Sequence, residues 1–87
     1  MKEIEVFDIL TLKNNELYTV VSKINRDGKT YAMLVGVDSQ ENLKCDKVRV
    51  VELKNNNSTV GVIKDKGLLQ LVTIELSKNL MVELNNV

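Results

Sequence analysis

Residues 17–37 form the stretch Leu17-Tyr-Thr-Val-Val-Ser-Lys-Ile-Asn-Arg-Asp-Gly-Lys-Thr-Tyr-Ala-Met-Leu-Val-Gly-Val37, which decides the fold. At its centre, Asp27-Gly28 separates two runs that are rich in the β-branched and aromatic residues typical of strands. An Asp-Gly pair supplies the positive φ angles that a type I′ turn requires. The stretch therefore predicts a β-hairpin with strands at residues 17–26 and 29–37.

A second two-residue turn is predicted at Asn14-Asn15, because Asn tolerates the left-handed region better than most residues do. This turn sets Ile9 opposite Val20, and the Asp27-Gly28 turn sets Val20 opposite Val35. The two registers agree in placing the aromatic residues on one face of a three-stranded meander. The residues predicted on that face are Phe7, Ile9, Tyr18, Val20, Ile24, Tyr31, Met33, Val35 and Val37. Those predicted on the opposite face are Asp8, Thr19 and Lys23, and the substitution Lys23→Glu is expected to be tolerated there.

The second half of the chain predicts two further strands. Residues 38–44 are polar and without periodicity, which is typical of a loop. Residues 45–53 and 59–63 are rich in Val and predict two strands. Asn55-Asn56-Asn57 separates the first strand from the second.

The C-terminal segment is compatible with two structures. Leu69, Val72, Leu76 and Leu80 recur at helical spacing, and Asp65 would cap a helix that begins near Lys66. Alternatively, the β-prone run Val72-Thr73-Ile74 and a turn at Ser77-Lys78-Asn79 would form a hairpin.

The predicted fold is therefore α+β: one domain over residues 1–87, with an antiparallel β-meander of about five strands and a C-terminal helix on its apolar face. The alternative is an all-β small barrel with a C-terminal hairpin.

The stretch from Tyr18 to Asp38 resembles the YrzB-like family of small bacterial proteins of unknown function. The family's pattern of a strand, an acidic-Gly turn and a second strand falls on Asp27, Gly28, Lys29, Tyr31, Ala32, Met33 and Leu34. Residues 48–53 match the family's next strand, and Ile63-Lys64-Asp65 with Val72 and Leu76 match its closing helix. The chain departs from the family where Lys64-Asp65-Lys66-Gly67 replaces an acidic run. The resemblance implies a fold and no activity.

Composition indicates a cytoplasmic protein. Twelve basic residues balance twelve acidic ones, and the single cysteine, Cys45, has no partner for an internal disulfide. Residues 1–5 carry acidic charge where a signal peptide is apolar, and no run approaches the length of a membrane span. Many Asn and Lys residues, with no Pro, Trp or His, are typical of AT-rich bacterial or phage genomes.

No catalytic or metal site is predicted, and no cofactor. Without His, the commonest general base and zinc ligand is missing. Cys45 lies between Lys44 and Asp46-Lys47, which would favour the thiolate, but no base accompanies it. Asp38, Glu41 and Asp46 lack the spacing of an EF-hand loop and are expected in a solvated loop.

The strongest functional signal is a basic stretch at residues 44–66. It holds six cations against three acidic residues, and the cations are Lys44, Lys47, Arg49, Lys54, Lys64 and Lys66. We predict that these residues contact a partner of a non-catalytic cytosolic protein-interaction module, encoded by a phage or other mobile element. The alternative is a small nucleic-acid-binding or regulatory protein, although both tyrosines, the natural stacking platforms, are predicted to be buried. A homodimer through a sheet edge is a further option.

Overall fold

A five-stranded antiparallel sheet and a C-terminal helix make up the computed structural model, which describes residues 3–12, 15–38, 40 and 42–85, except the side chains of 45, 46 and 81–85. The elements are β1 (Ile9–Thr11), β2 (Leu17–Arg26), β3 (Lys29–Val37), β4 (Leu43–Lys54), β5 (Thr59–Gly61) and α1 (Lys66–Asn85). Each strand pairs with the next one along the chain, so the sheet is a curled meander that does not close into a barrel. The α+β prediction is confirmed, and the C-terminal hairpin of the all-β alternative is wrong. In the described part of the chain, no helix has both the length and the apolar character that crossing a membrane requires.

The Asp27-Gly28 turn forms as predicted. The two residues have φ angles of 53° and 80°, and Arg26 pairs with Lys29 directly beside them. These positive angles are those of a type I′ turn, whose twist matches the twist of paired strands. The two-residue turn and the pairing next to it are therefore confirmed.

An extra residue in β2 changes the pairing further from this turn. Ser22 pairs with Met33 as predicted, but the next pair is Val20 with Leu34, so Val21 forms a β-bulge. The predicted pairing of Val20 with Val35 is wrong. Because side chains alternate across a strand, a shift of one residue sends all side chains beyond the bulge to the other face.

The sheet consequently has two apolar faces and not one. The cluster on the inner face contains Ile4, Tyr18, Val20, Ala32, Leu34, Val51 and Leu53. The cluster on the helix face contains Tyr31 and Met33, which pack against Val72 and Leu76 of α1. The two tyrosines are buried as predicted, but on opposite faces.

The predicted register of β1 is also wrong. Ile9 pairs with Thr19 and not with Val20, and the N–H of Leu12 donates to the carbonyl of Glu16 at 2.9 Å. Residues 13 and 14 lie outside the described residues, but Leu12 is bonded to Glu16, whereas the predicted two-residue turn at Asn14-Asn15 would set residue 13 opposite Glu16. The shift turns Ile9 towards the helix face, where its side chain is exposed.

Helix α1 begins where the capping pattern predicted. The Asp65 carboxylate accepts hydrogen bonds from the N–H groups of Gly67 (2.9 Å) and Leu68 (3.2 Å), which satisfies two of the free donors of the first turn. Val72 and Leu76 are fully buried against the sheet, as their helical spacing predicted.

Polar contacts fasten the second half of α1 to β2. The buried hydroxyl of Ser22 donates to the carbonyl of Leu76 at 3.0 Å, and the Asn79 amide donates to the carbonyl of Lys23 at 3.2 Å. Arg26 and Glu75 form an ion pair beside them. The helix packs against β2, β3 and β4. It does not cover the part of the helix face near Ile9 and Leu43, whose side chains are exposed.

The N-terminal segment covers the inner face. The N–H of Ile4 donates to the carbonyl of Asn57 in the turn between β4 and β5 at 2.7 Å, and Lys23 Nζ donates to the carbonyl of Ile4 at 2.9 Å. These bonds hold the buried Ile4 side chain against the inner cluster. Lys23 lies on the face predicted for it, opposite the face of Tyr31 and Met33, but this face carries the inner apolar cluster.

Candidate interaction surfaces

Two of the six cations predicted to contact a partner form hydrogen bonds within the chain, one to Tyr18 of β2 and one to Glu16, the residue before β2. Lys47 Nζ donates to Glu16 Oε2 at 3.0 Å, and Arg49 Nε donates to the Tyr18 hydroxyl at 3.2 Å. The Arg49 guanidinium also stands 5.6 Å from the centre of the Tyr18 ring, within the range of a cation–π contact. The hydrogen bond from Lys47 lowers the pKa of Glu16, and the hydrogen bond to Tyr18 raises the pKa of Arg49. A phosphate bound here would have to compete with these contacts.

The other four cations are distributed between the two ends of β4 and the start of α1. Lys54 is the last residue of β4, roughly 16 Å from Arg49 at about 3.3 Å per strand residue. Its alkyl chain covers Gly61, where an added Cβ would stand 2.6 Å from Lys54 Cε. Lys64 and Lys66 flank the helix cap, and Lys44 lies at the other end of β4. Lys44 is nevertheless near Lys47, because both side chains stand next to Gly36 and line one open groove with Glu16 and Asp38. The structure therefore brings together Lys44, Lys47 and Arg49, and partner contact by the six remains a prediction.

Asp38, one of the acidic residues near β4, has a structural use. Asp38 Oδ1 accepts hydrogen bonds from the N–H groups of Asn42 and Gln40, both at 2.9 Å. The bond from Asn42 lowers the pKa of Asp38. Glu41 and the side chains of Cys45 and Asp46 lie outside the part of the chain that the structure describes. The described residues contain no group of three His, Cys, Asp or Glu residues that could hold a metal ion.

An apolar surface that the sequence did not predict lies on the uncovered part of the helix face. We call it the Phe7 shelf, an open groove of about 230 Å³ lined by Phe7, Ile9, Thr19, Val21, Val37 and Leu43. Phe7 is 75% exposed, and the side chains of Ile9 and Leu43 are exposed as well. Thr19 and Val37 form its buried floor.

The backbone holds Phe7 in an unusual conformation. Its φ angle is 75°, whereas every other described non-glycine residue with positive φ is Asn or Asp. A bulky residue in this region is strained, and such strain persists only where the surroundings impose it. Here they do, because the N–H of Phe7 donates to the carbonyl of Val20 at 2.7 Å and the N–H of Val20 donates to the carbonyl of Asp8 at 3.0 Å. These two bonds to Val20 fix the turn that presents the ring.

Sequence reasoning missed this shelf because it assigned Phe7 and Ile9 to the core. A three-residue loop at positions 13–15, with an Asn in the left-handed region at its end, would have shifted β1 by one residue and exposed both. Asn15 has a φ of 61°, as such a loop requires.

Comparison of the chain with family models, with curated proteins and with solved structures gives no match.

Proposed function

We propose that this protein is a non-catalytic, cytosolic interaction module that binds another protein through the Phe7 shelf. The observation that carries the proposal is the exposure of Phe7, 75%, in a strained backbone at the rim of an apolar groove. Adjacent exposed apolar side chains rimmed by polar ones are typical of protein-binding sites. An aromatic ring is the usual anchor of such a site, since it buries a large area while losing little conformational entropy.

The composition supports the remaining parts of the proposal. The chain has no His, so its only nucleophile beyond hydroxyl and amine groups, Cys45, lacks the usual activating base. A single cysteine suits a reducing compartment. The abundance of Asn and Lys supports an origin in a phage or other mobile element.

Substitution Phe7→Asn tests the proposal without weakening the fold. Asn accepts a positive φ, so the turn is retained while the ring is removed. We expect the immobilised wild-type chain to capture one protein from an extract of the source cells, identified by mass spectrometry, and Phe7→Asn to lose it. Isothermal titration with the purified partner should show at least about a tenfold weaker affinity, as expected for the loss of a central aromatic contact.

Leu71→Gln is the matched control. Leu71 is 50% exposed on α1, away from the shelf, so this variant removes an exposed apolar residue without touching the proposed site. Equal loss of the partner in both variants would contradict the proposal. Salt-dependent binding to heparin that survives Phe7→Asn would favour the nucleic-acid alternative instead.

A further inference from the structure

The outer edge of β4 has a hydrogen-bonded neighbour over only part of its length. Among the described residues, β5 pairs with β4 only at Glu52–Lys54. In a two-residue hairpin, the residues that flank the turn bond to each other, so the main-chain groups of Lys29 face β2. Alternation along β3 then directs the main-chain groups of Thr30, Ala32 and Leu34 towards β4.

The same alternation fixes which groups of β4 face outward. The partners of Thr30, Ala32 and Leu34 are Leu53, Val51 and Arg49, whose main-chain groups therefore face β3. The N–H and C=O groups of Val48 and Val50 consequently point to the open edge. Lys54 is an even number of residues from Val48 and Val50, so its main-chain groups point to the same side. Its carbonyl accepts a hydrogen bond at 3.0 Å from the N–H of Ser58, the residue before β5. The edge thus offers two donors and two acceptors with the spacing of a β-ladder.

An apolar groove of about 420 Å³ runs beside this edge, between β4 and the first half of α1. Its lining includes Val48, Val50, Val62, Ile63, Leu69 and Thr73. Val48 is 50% exposed, and Val62 is exposed on the opposite rim. A strand added at the edge would direct alternate side chains into this groove, which is how extended peptides are bound between a strand and a neighbouring element.

The segments of chain that border the groove carry more basic than acidic residues, which indicates the chemistry of the added strand. Between Val48 and Leu69 the chain carries four cations, Arg49, Lys54, Lys64 and Lys66, against the carboxylates of Glu52 and Asp65. The Asp65 carboxylate is already used by the helix N-terminus. Arg49 also lines the groove, and its side chain reaches the Tyr18 hydroxyl on the inner side of the sheet. Its guanidinium is therefore on the side of the edge that would receive the side chains alternating with those in the groove.

We propose that the edge of β4 at Val48 and Val50 binds an extended segment of another protein in which apolar residues alternate with acidic ones. Apolar side chains enter the groove, and an acidic side chain meets the Arg49 guanidinium in place of its hydrogen bond to the Tyr18 hydroxyl. A second copy of this chain is a poorer occupant, because antiparallel pairing of two β4 edges would bring their cations together. This inference uses a different surface from the Phe7 shelf and does not depend on it.

Amide exchange measured by NMR on the labelled full chain tests the geometry. The probe is a blocked heptapeptide of alternating Glu and Val, and its control has Lys in place of Glu. Without peptide, the amides of Val48 and Val50 should exchange faster than those of Arg49 and Val51, which bond to β3. The Glu peptide should protect Val48 and Val50, and it should bind at least about tenfold more tightly than the Lys peptide at low salt. Equal affinity for the two peptides, or no protection at Val48 and Val50, would overturn the proposal.

Val48→Pro tests the main-chain contact. Proline removes an N–H that points away from β3, and it is tolerated on an edge strand for that reason. We expect the variant to fold and to bind the Glu peptide roughly tenfold more weakly. If the variant does not fold, a Glu peptide N-methylated at alternate residues takes its place, and undiminished binding in either experiment overturns the proposal. Phe7→Asn should bind the Glu peptide like the wild type. Protection of Val48 and Val50 that rises with protein concentration alone would identify a second copy as the occupant and also overturn it.

Discussion

At the scale of single residues, conformation and residue type agree at almost every position with positive φ. Asn15, Asp27 and the turn residues Asn55, Asn56 and Asn57 are of the types that tolerate this region. Phe7 is the exception among the described residues, and its ring is exposed without compensating burial.

Phe7→Asn should therefore stabilise the fold. The left-handed conformation costs an ordinary residue about 1–2 kcal/mol, and it costs Asn less. We expect the free energy of unfolding, measured in urea, to rise by up to about 1 kcal/mol. A clear loss of stability would mean that the ring contributes to folding and that its exposure needs no partner to explain it.

Gly36 is required for close packing. Positions 45–47 of β4 form an irregularity in its pairing with β3, and an added Cβ at Gly36 would stand 2.9 Å from Lys47 Cβ. Gly36→Ala should destabilise the protein by about 1–3 kcal/mol, the usual cost of overpacking. Gly67→Ala is the control, because Gly67 lies in the first turn of α1 with its nearest neighbour at 3.4 Å, and it should be neutral or stabilising. Equal effects in thermal melts would contradict the close approach.

At the scale of elements, α1 depends on its cap and on burial more than on its charge distribution. Its first turn has no acidic residue and its last turn no basic residue, so the helix dipole is not compensated by side chains within the helix. Asp65, which lies just before the first turn, supplies the carboxylate that the first turn lacks and accepts a hydrogen bond from the N–H of Gly67. The fully buried Val72 and Leu76, with the partly buried Leu68 and Leu80, supply the apolar contact with the sheet.

Asp65→Ala should cost about 1 kcal/mol, the typical value of a helix N-cap. Asp65→Ser retains an acceptor for the same N–H groups and should recover most of that loss. Urea denaturation followed by circular dichroism measures both variants. An equally large loss for Ser and Ala would show that the hydrogen bonds to Gly67 and Leu68 do not stabilise the helix.

At the scale of the whole molecule, the N-terminal segment ties the two sides of the curled sheet together. Lys23, only 18% exposed, donates to the carbonyl of Ile4 and lies within 3.8 Å of the carboxylates of Glu3 and Glu5. Asn57 binds the same segment through its carbonyl and its side-chain amide. The seal over the inner cluster therefore depends on contacts between residues far apart in sequence.

Lys23→Glu should consequently be costly, contrary to the expectation from the sequence. It replaces a donor with a third carboxylate beside Glu3 and Glu5, and we expect a loss of about 1–3 kcal/mol. Lys29→Glu, an exposed change next to the Asp27-Gly28 turn, should stay within about 0.5 kcal/mol. Equal melting temperatures for the two variants would show that the N-terminal segment does not stabilise the sheet.

The sequence by itself determined the Asp27-Gly28 turn and the strands around it, and it predicted the capped helix and the α+β class with a C-terminal hairpin as the alternative. Each of these follows from the conformational preferences of a few neighbouring residues. Only the tertiary structure decided which side chains share a face. Val20 and Val21 are both apolar, so alternation cannot tell which of them faces the inner cluster, and a loop of two or three residues at Asn15 is equally compatible with the sequence. One extra residue in β2 at Val21, or in the loop at Asn15, moves the side chains beyond it to the other face of the sheet. Packing against residues distant in sequence, such as Leu76 of α1 and Ile4 of the N-terminal segment, selects the register that is observed. That selection leaves Phe7 and the β4 edge exposed, and with them both proposed binding surfaces.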